Sequence, residues 1–150
     1  IDLAIRYGRH DWNLDSQNVL LDLDLVVVGT PECLQRGSTG TPADLVHFPW
    51  LQELGTTEAG DWFARHGVEI DHPLMITHMP GNLIVDAVKR GDGITYTARQ
   101  WFKEELDSGT LVELFPEEGA GFFYIHTRQG TQREATGLFH QWLMQQGGTL

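Results

Sequence analysis

The sequence predicts an α/β domain built on a largely parallel sheet, and three observations carry that prediction. The stretch Val19 to Gly29 is almost continuously apolar (Leu20, Leu21, Leu23, Leu25, Val26, Val27, Val28), the pattern of a strand covered on both faces. Short strand-like runs then alternate with segments of helical spacing as far as the C-terminus. Helix punctuation falls between them, with Thr-Pro pairs at Thr30-Pro31 and Thr41-Pro42 and glycines after each helical segment. Connections between parallel strands of such a sheet are right-handed crossovers.

Taken in order, Leu3 to Tyr7 alternates as a short strand, and Gly8 to Ser16 reads as a polar loop. The pattern is already strand-like at Ile1, with no initiator Met, which reads as the cut end of a longer protein. After the strand at Val19 to Gly29, Thr30-Pro31 opens a short helix holding Cys33 and Leu34 and Gly37 stops it; Thr41-Pro42 opens a second before Leu45 and Val46. Pro49 to Leu54 is a short strand and Thr57 to His66 a helix closed by Gly67. Pro73 to Thr77 is a strand broken by Pro80-Gly81-Asn82, followed by a helix carrying Leu83, Ile84, Ala87 and Val88 up to Gly91. Gly93 to Thr97 is a strand, and Thr97-Ala98-Arg99-Gln100 has capping-box spacing for a helix through Leu106 that Gly109 closes. Leu111 to Phe115 and Phe122 to Thr127 are strands separated by an acidic glycine turn, Glu117 to Gly121. Thr131 and Glu134 make a second capping box for a last helix whose stripe is Ala135, Leu138, Phe139, Trp142 and Leu143, ended by Gly147. Trp62, Phe102 and Trp142 are expected in the core.

Composition narrows the function classes. With 41% apolar and 21% charged residues and only 6 Pro among 150, a disordered, collagen-like or coiled-coil chain is excluded in favour of a soluble domain. A single cysteine, Cys33, rules out an internal disulfide and fits a reducing compartment. A net charge of −11 would repel a polyanion, so no direct nucleic-acid contact is expected, and no apolar run has the length of a membrane span.

The chemistry-bearing residues point away from catalysis. Asp71-His72 and His78 flank one strand and His10-Asp11 sits in a loop, but no second ligand pair accompanies them, so neither a metal nor another cofactor is expected. There is no Gly-x-Ser-x-Gly elbow, and Cys33 lacks a sequence-evident base. Gly91-Asp92-Gly93 follows a helix and precedes a strand, the reverse of a phosphate loop. Helix starts are more informative, because in an open α/β sheet ligands gather outside the carboxyl ends of strands, where helix N-termini favour an anionic group such as a carboxylate. Three turns qualify: Thr30-Pro31, Gly55-Thr56-Thr57, and His78-Met79-Pro80-Gly81-Asn82; equally, Thr30, Thr57 and Asn82 could simply cap their helices.

Seven blocks follow one another along the chain: Asp2 to Gly8; Leu25 to Val28 running into Thr30-Pro31-Glu32-Cys33-Leu34; Pro42 to Leu45 with Pro49-Trp50-Leu51; Trp62-Phe63; Ala87 to Ile94; Leu106 to Val112; and Phe139 to Leu143. In their order and spacing they resemble the effector-binding domain of LysR-type transcriptional regulators, in the subgroup of the glycine-cleavage and β-lactamase regulators. The resemblance implies a type 2 periplasmic-binding-protein-like fold, one complete Rossmann-like subdomain plus part of a second, with a small effector in the cleft between them. The implied division is 1–24 and 116–150 for the first subdomain and 25–115 for the second, inserted one. The implied function is effector sensing without enzymatic activity, in the cytoplasm, for a regulator that reaches DNA through an N-terminal helix-turn-helix this sequence lacks; a solute-binding module of the same fold is the alternative. Turn positions and resemblance together nominate Tyr7, Gly8, Leu54, Gly55, Thr56, Thr57, His78, Met79, Pro80, Gly81 and Asn82 for the effector, with backbone N–H groups and hydroxyls on its head group and Tyr7 or Met79 over its apolar part. Strand edges at Leu3 to Tyr7 or Phe122 to Thr127, short of neighbours, imply self-association.

Overall fold

A computed structural model describes residues 2–10 and 18–147. The expected loop residues 11–16, Asp11 among them, and the start of the pattern at Ile1 lie outside the described residues. The chain divides into two compact units, Val26–Pro116 and the pair of segments Ile1–Leu25 and Glu117–Leu150. Among the described residues, six strands order as β1-β6-β2-β5 and β3-β4. They are β1 (Leu3–Arg9), β2 (Val19–Gly29), β3 (Trp50–Glu53), β4 (Ile76–Met79), β5 (Thr95–Ala98) and β6 (Val112–Thr127). The α-helices of the described residues are α1 (Pro31–Leu34), α2 (Glu58–Arg65), α3 (Gly81–Lys89), α4 (Lys103–Ser108) and α5 (Glu134–Gln146), with 3-10 turns at Pro42–His47 and Arg99–Phe102.

In the unit of residues 26–116, the end of β2 is the centre of the core. Val26, Val27 and Val28 are fully buried, and Val26 and Val28 pack with Leu51, Ala87, Val88, Phe102 and Leu111. Thr30 caps α1 as the Thr-Pro pair predicts, its Oγ1 accepting from Cys33 N at 3.1 Å. The 3-10 turn after Thr41 opens on a capping box with Asp44, Thr41 N donating to Oδ2 at 2.9 Å. β3 and β4 are parallel, with Trp50 opposite Ile76 and Glu53 opposite Met79. β3 reaches β5 through a parallel bridge from Trp50 to Ile94, held by Ile94 N to Pro49 O and Leu51 N to Ile94 O, both 2.8 Å. Trp50, Trp62 and Phe63 interlock at ring distances of 5.1 to 5.7 Å, and Trp62 and Phe102 are buried as expected.

The other unit holds β1, the first part of β2, the second part of β6, and α5. β1 is antiparallel to β6, Leu3 opposite Thr127 and Arg9 opposite Gly121, so pairing here departs from the parallel expectation. Phe122 to Thr127 is not an edge: β6 lies between β1 and β2, and β1 is an edge strand. The turn expected at Glu117 to Gly121 is absent too, because β6 runs unbroken. A bend at Phe115 (φ 49°) and a left-handed Gly119 (φ 64°) replace the turn, and Asp24 Oδ1 accepts Gly119 N at 2.8 Å.

Three further expectations are corrected. The Pro73–Thr77 strand forms three residues later, as β4, because the pairing partner of β3 starts at Ile76. The capping boxes at Thr97 and Thr131 do not form: Thr97 is strand, and the residues preceding the helical segments are Ala98 and Arg133 without side-chain caps. The stripe of α5 exists but is not covered by the described residues; Trp142 is 53% exposed, stacked on Phe139 at 5.8 Å, and the helix has no buried residue.

Candidate functional site

The parallel register of β3 and β4 brings two of the nominated segments together at the carboxyl ends of those strands. Leu54, Gly55, Thr56 and Thr57 leave β3; His78 and Met79 end β4; and Pro80 leads into α3, whose first two residues are Gly81 and Asn82. Leu54 N donates to Met79 O at 3.1 Å, fastening one segment to the other. Tyr7 and Gly8 lie on β1 of the other unit, where the Tyr7 ring meets Phe123 edge-on at 6.1 Å.

Each hydroxyl at this edge has a defined partner. Gly55 adopts φ 78°, which turns the chain sharply so that Thr56 N and Thr56 Oγ1 both donate to Glu53 O, at 3.2 and 2.9 Å. Thr57 Oγ1 donates to Asp61 Oδ2 at 2.8 Å. With both hydroxyl hydrogens committed to partners within the chain, the groups these threonines still offer are oxygen lone pairs. Thr57 occupies the position before α2 but makes no side-chain cap to the backbone. That role falls to Gln52 on β3, whose Oε1 accepts from Ala59 N at 2.8 Å while its Nε2 donates to Thr56 O at 2.7 Å.

At the other segment, Asn82 is the second residue of α3 and not its cap. The carboxylate of Glu53 lies against Gly81, so close that a Cβ there would stand 3.0 Å from Glu53 Oε1. A negative group of the chain itself therefore sits beside the positive end of α3. His78 is exposed, whereas Met79 packs against the Val26–Val28 core. Gln52 and Glu53 are the residues that sequence reasoning missed.

The remaining candidates separate. His72 Nδ1 and Asp71 Oδ1 are 2.7 Å apart, and the hydrogen bond to the imidazole holds the Asp71 carboxyl below its usual range. The His72 ring stacks on His47 at 6.0 Å. Among the described residues no group of three or more His, Cys, Asp or Glu could hold a metal, and no helix is long and apolar enough to cross a membrane. Cys33 is fully buried, and desolvation raises its thiol pKa. A shallow cavity of about 340 Å³ lies along α5 between Asn18, His140, Gln141, Met144 and Gln145, and none of the nominated residues borders it.

Comparison with known proteins agrees with the sequence blocks. The chain is 29% identical over 145 residues to the HTH-type transcriptional activator AmpR of Citrobacter koseri, covering 96% of this chain and 50% of that protein. It is 22% identical over 156 residues to a glycine cleavage system transcriptional activator homolog of Haemophilus influenzae, covering 96% and 49%. The chain thus spans about half the length of these relatives. Among solved structures, the effector domain of AmpR of Pseudomonas aeruginosa superposes with a TM-score of 0.68 at 22% identity, covering 97% of this chain and 71% of that one. The regulatory domain of CrgA, a LysR-type regulator of Neisseria meningitidis, gives 0.68 at 20% identity, covering 99% and 76%. These structures share the fold, an α/β arrangement of the type 2 periplasmic-binding-protein kind. The family model of the LysR substrate binding domain matches residues 1–148, and the chain belongs to that family.

Proposed function

We propose that this domain senses a small-molecule effector at the carboxyl edge of β3 and β4 and transforms nothing. It would serve a cytoplasmic, oligomeric LysR-type regulator that contacts DNA through a separate helix-turn-helix domain. The observation that carries the reading is the register of the two strands, which sets Leu54–Thr57 beside His78–Asn82. Relatives that are transcriptional regulators support a sensing role over an enzymatic one. In such a sensor the effector works by binding one arrangement of the protein better than another.

The polarity of the edge favours one class of contact. Thr56 and Thr57 offer lone pairs, and Glu53 places a carboxylate beside Gly81. An effector group that donates hydrogen bonds, such as an amine or a primary amide, suits these partners better than the carboxylate expected from helix starts alone. Millimolar glycinamide and N-acetylglycine separate the alternatives by backbone amide NMR of the 150-residue chain. The expected result is that glycinamide moves the resonances of Leu54–Thr57 and Gly81–Asn82 and N-acetylglycine does not. The reverse preference would restore the carboxylate, and shifts confined to other residues would remove the effector from this edge.

A further inference from the structure

We infer that Gln52 is the positioning residue of the effector edge: its side chain, reaching from β3, sets the shape of the loop that carries Thr56 and Thr57. The inference rests on the effector reading above for its function, but its geometry stands alone. Gln52 is only 5% exposed, on a strand whose other buried side chains are apolar. Both ends of its amide are used on one loop, Nε2 on Thr56 O at 2.7 Å and Oε1 on Ala59 N at 2.8 Å. The two backbone groups it grips bracket Thr57 and Glu58, so the peptide unit that joins the two threonines is held at one end and the first turn of α2 at the other. The cap that α2 lacks from Thr57 is supplied by the same amide.

Only one orientation of the amide satisfies this pair, because a carbonyl must meet a donor and an N–H an acceptor. Chemistry then distinguishes the substitutions. Leucine fills the space and makes neither bond. An ionised glutamate can accept from Ala59 N but turns an oxygen toward the carbonyl of Thr56, which repels it. A protonated glutamate has the shape of glutamine and donates its O–H to Thr56 O. Q52E should therefore loosen the loop near neutrality and recover it in acid, while Q52L should be loose at every pH.

The test is amide hydrogen exchange of the 150-residue chain, read at Ala59 and, as a control, at Leu51, whose N–H is held by Ile94 O. Each variant is compared with wild type at the same pH. We expect Q52L to exchange at Ala59 about tenfold or more faster, with Leu51 unchanged. We expect Q52E to lose Ala59 protection near neutrality and to regain it in acid. Equal acceleration at Ala59 and Leu51 would make Gln52 a residue of general stability and overturn the inference, as would unchanged exchange at Ala59 in Q52L or a pH-independent Q52E. Glycinamide shifts are measured on the same samples and bear on the effector reading separately. If wild type shows none while the exchange pattern holds, the reading of the edge fails and the loop pin does not.

Discussion

Replacing Gly93 with alanine tests the packing that holds β3 in place. A Cβ on Gly93 would stand 2.6 Å from Pro49 O and 3.1 Å from Pro49 C, both backbone atoms. Reaching ordinary contact requires Pro49 O to move by roughly 0.8 Å, which an interior at crystal-like density resists. The same oxygen accepts from Ile94 N at 2.8 Å, and that bond is one of the links between β3 and β5. Overpacking costs about 1–3 kcal/mol and a weakened buried hydrogen bond about 1 more, offset by about 0.4–1 kcal/mol of entropy removed from the unfolded chain, so a net loss of about 1–3.5 kcal/mol follows. Gly60→Ala is the matched control: Gly60 lies inside α2 with nothing within 4 Å of its would-be Cβ. That substitution should stabilise by about 0.5–1 kcal/mol. Urea unfolding followed by tryptophan emission is the assay, since Trp50 and Trp62 are buried in the same unit as both glycines. At an m-value of about 1–3 kcal/mol/M the midpoints of the two variants should separate by about 0.5 M or more. A Gly93→Ala midpoint within error of wild type would mean that Pro49 yields freely and that β3 is not held as described.

Two further outcomes follow from titratable groups. Burial raises the pKa of Cys33, so at mildly alkaline pH its thiolate fraction is below that of a free cysteine; alkylation by iodoacetamide should be slow in native buffer and fast in denaturant, and a native rate equal to that of free cysteine would refute the buried placement. Glu105 is paired with Lys89 at 2.6 Å, and the hydrogen bond to the ammonium lowers its pKa from 4.5. A group whose folded pKa is depressed contributes stability above its unfolded pKa and loses it as pH falls through the folded value. Lys89 is shifted upward by the same contact, so its share is lost only at alkaline pH. Glu105→Gln should therefore be less stable than wild type near neutrality and converge with it in acid; a constant gap between the two urea midpoints would show that the pair contributes nothing through titration.

Local chemistry was legible where a single element settles it. Val19 to Gly29 needs no partner to be recognised as a strand, although its burial is continuous only from Leu25 onward, and Thr30 caps α1 with its own hydroxyl within three residues. Legibility failed where a distant strand decides. Glu117 to Gly121 has turn composition, yet the chain stays extended there because Asp24 takes the N–H of Gly119 and Ala120 O accepts from His10 N. The boxes at Thr97 and Thr131 have the right spacing, but Thr97 is drawn into β5, and α5 begins after Arg133. Trp142 shows the limit of periodicity: the stripe is real, but burial depends on what lies opposite, which spacing alone does not contain.

The same distinction explains the candidate site. Thr56 and Thr57 were visible because a glycine followed by two threonines before a helical segment is a local signal. Gln52 was not, since one polar residue in Trp-Leu-Gln-Glu reads as ordinary strand alternation with its side chain facing water. Its burial and both of its bonds arise only when β3 carries the chain around Gly55 and α2 folds back above it. Glu53 was hidden for a parallel reason: its position beside Gly81 depends on β4 pairing with β3 in this register. Sequence therefore exposed the loops proposed to receive an effector, while the residues that give those loops their shape and polarity became visible only once the strands beneath them were paired. A polar side chain just before the end of a short parallel strand is the signal to seek in related sequences, because from there Gln52 reaches both the loop it leads into and the first turn of the helix that follows.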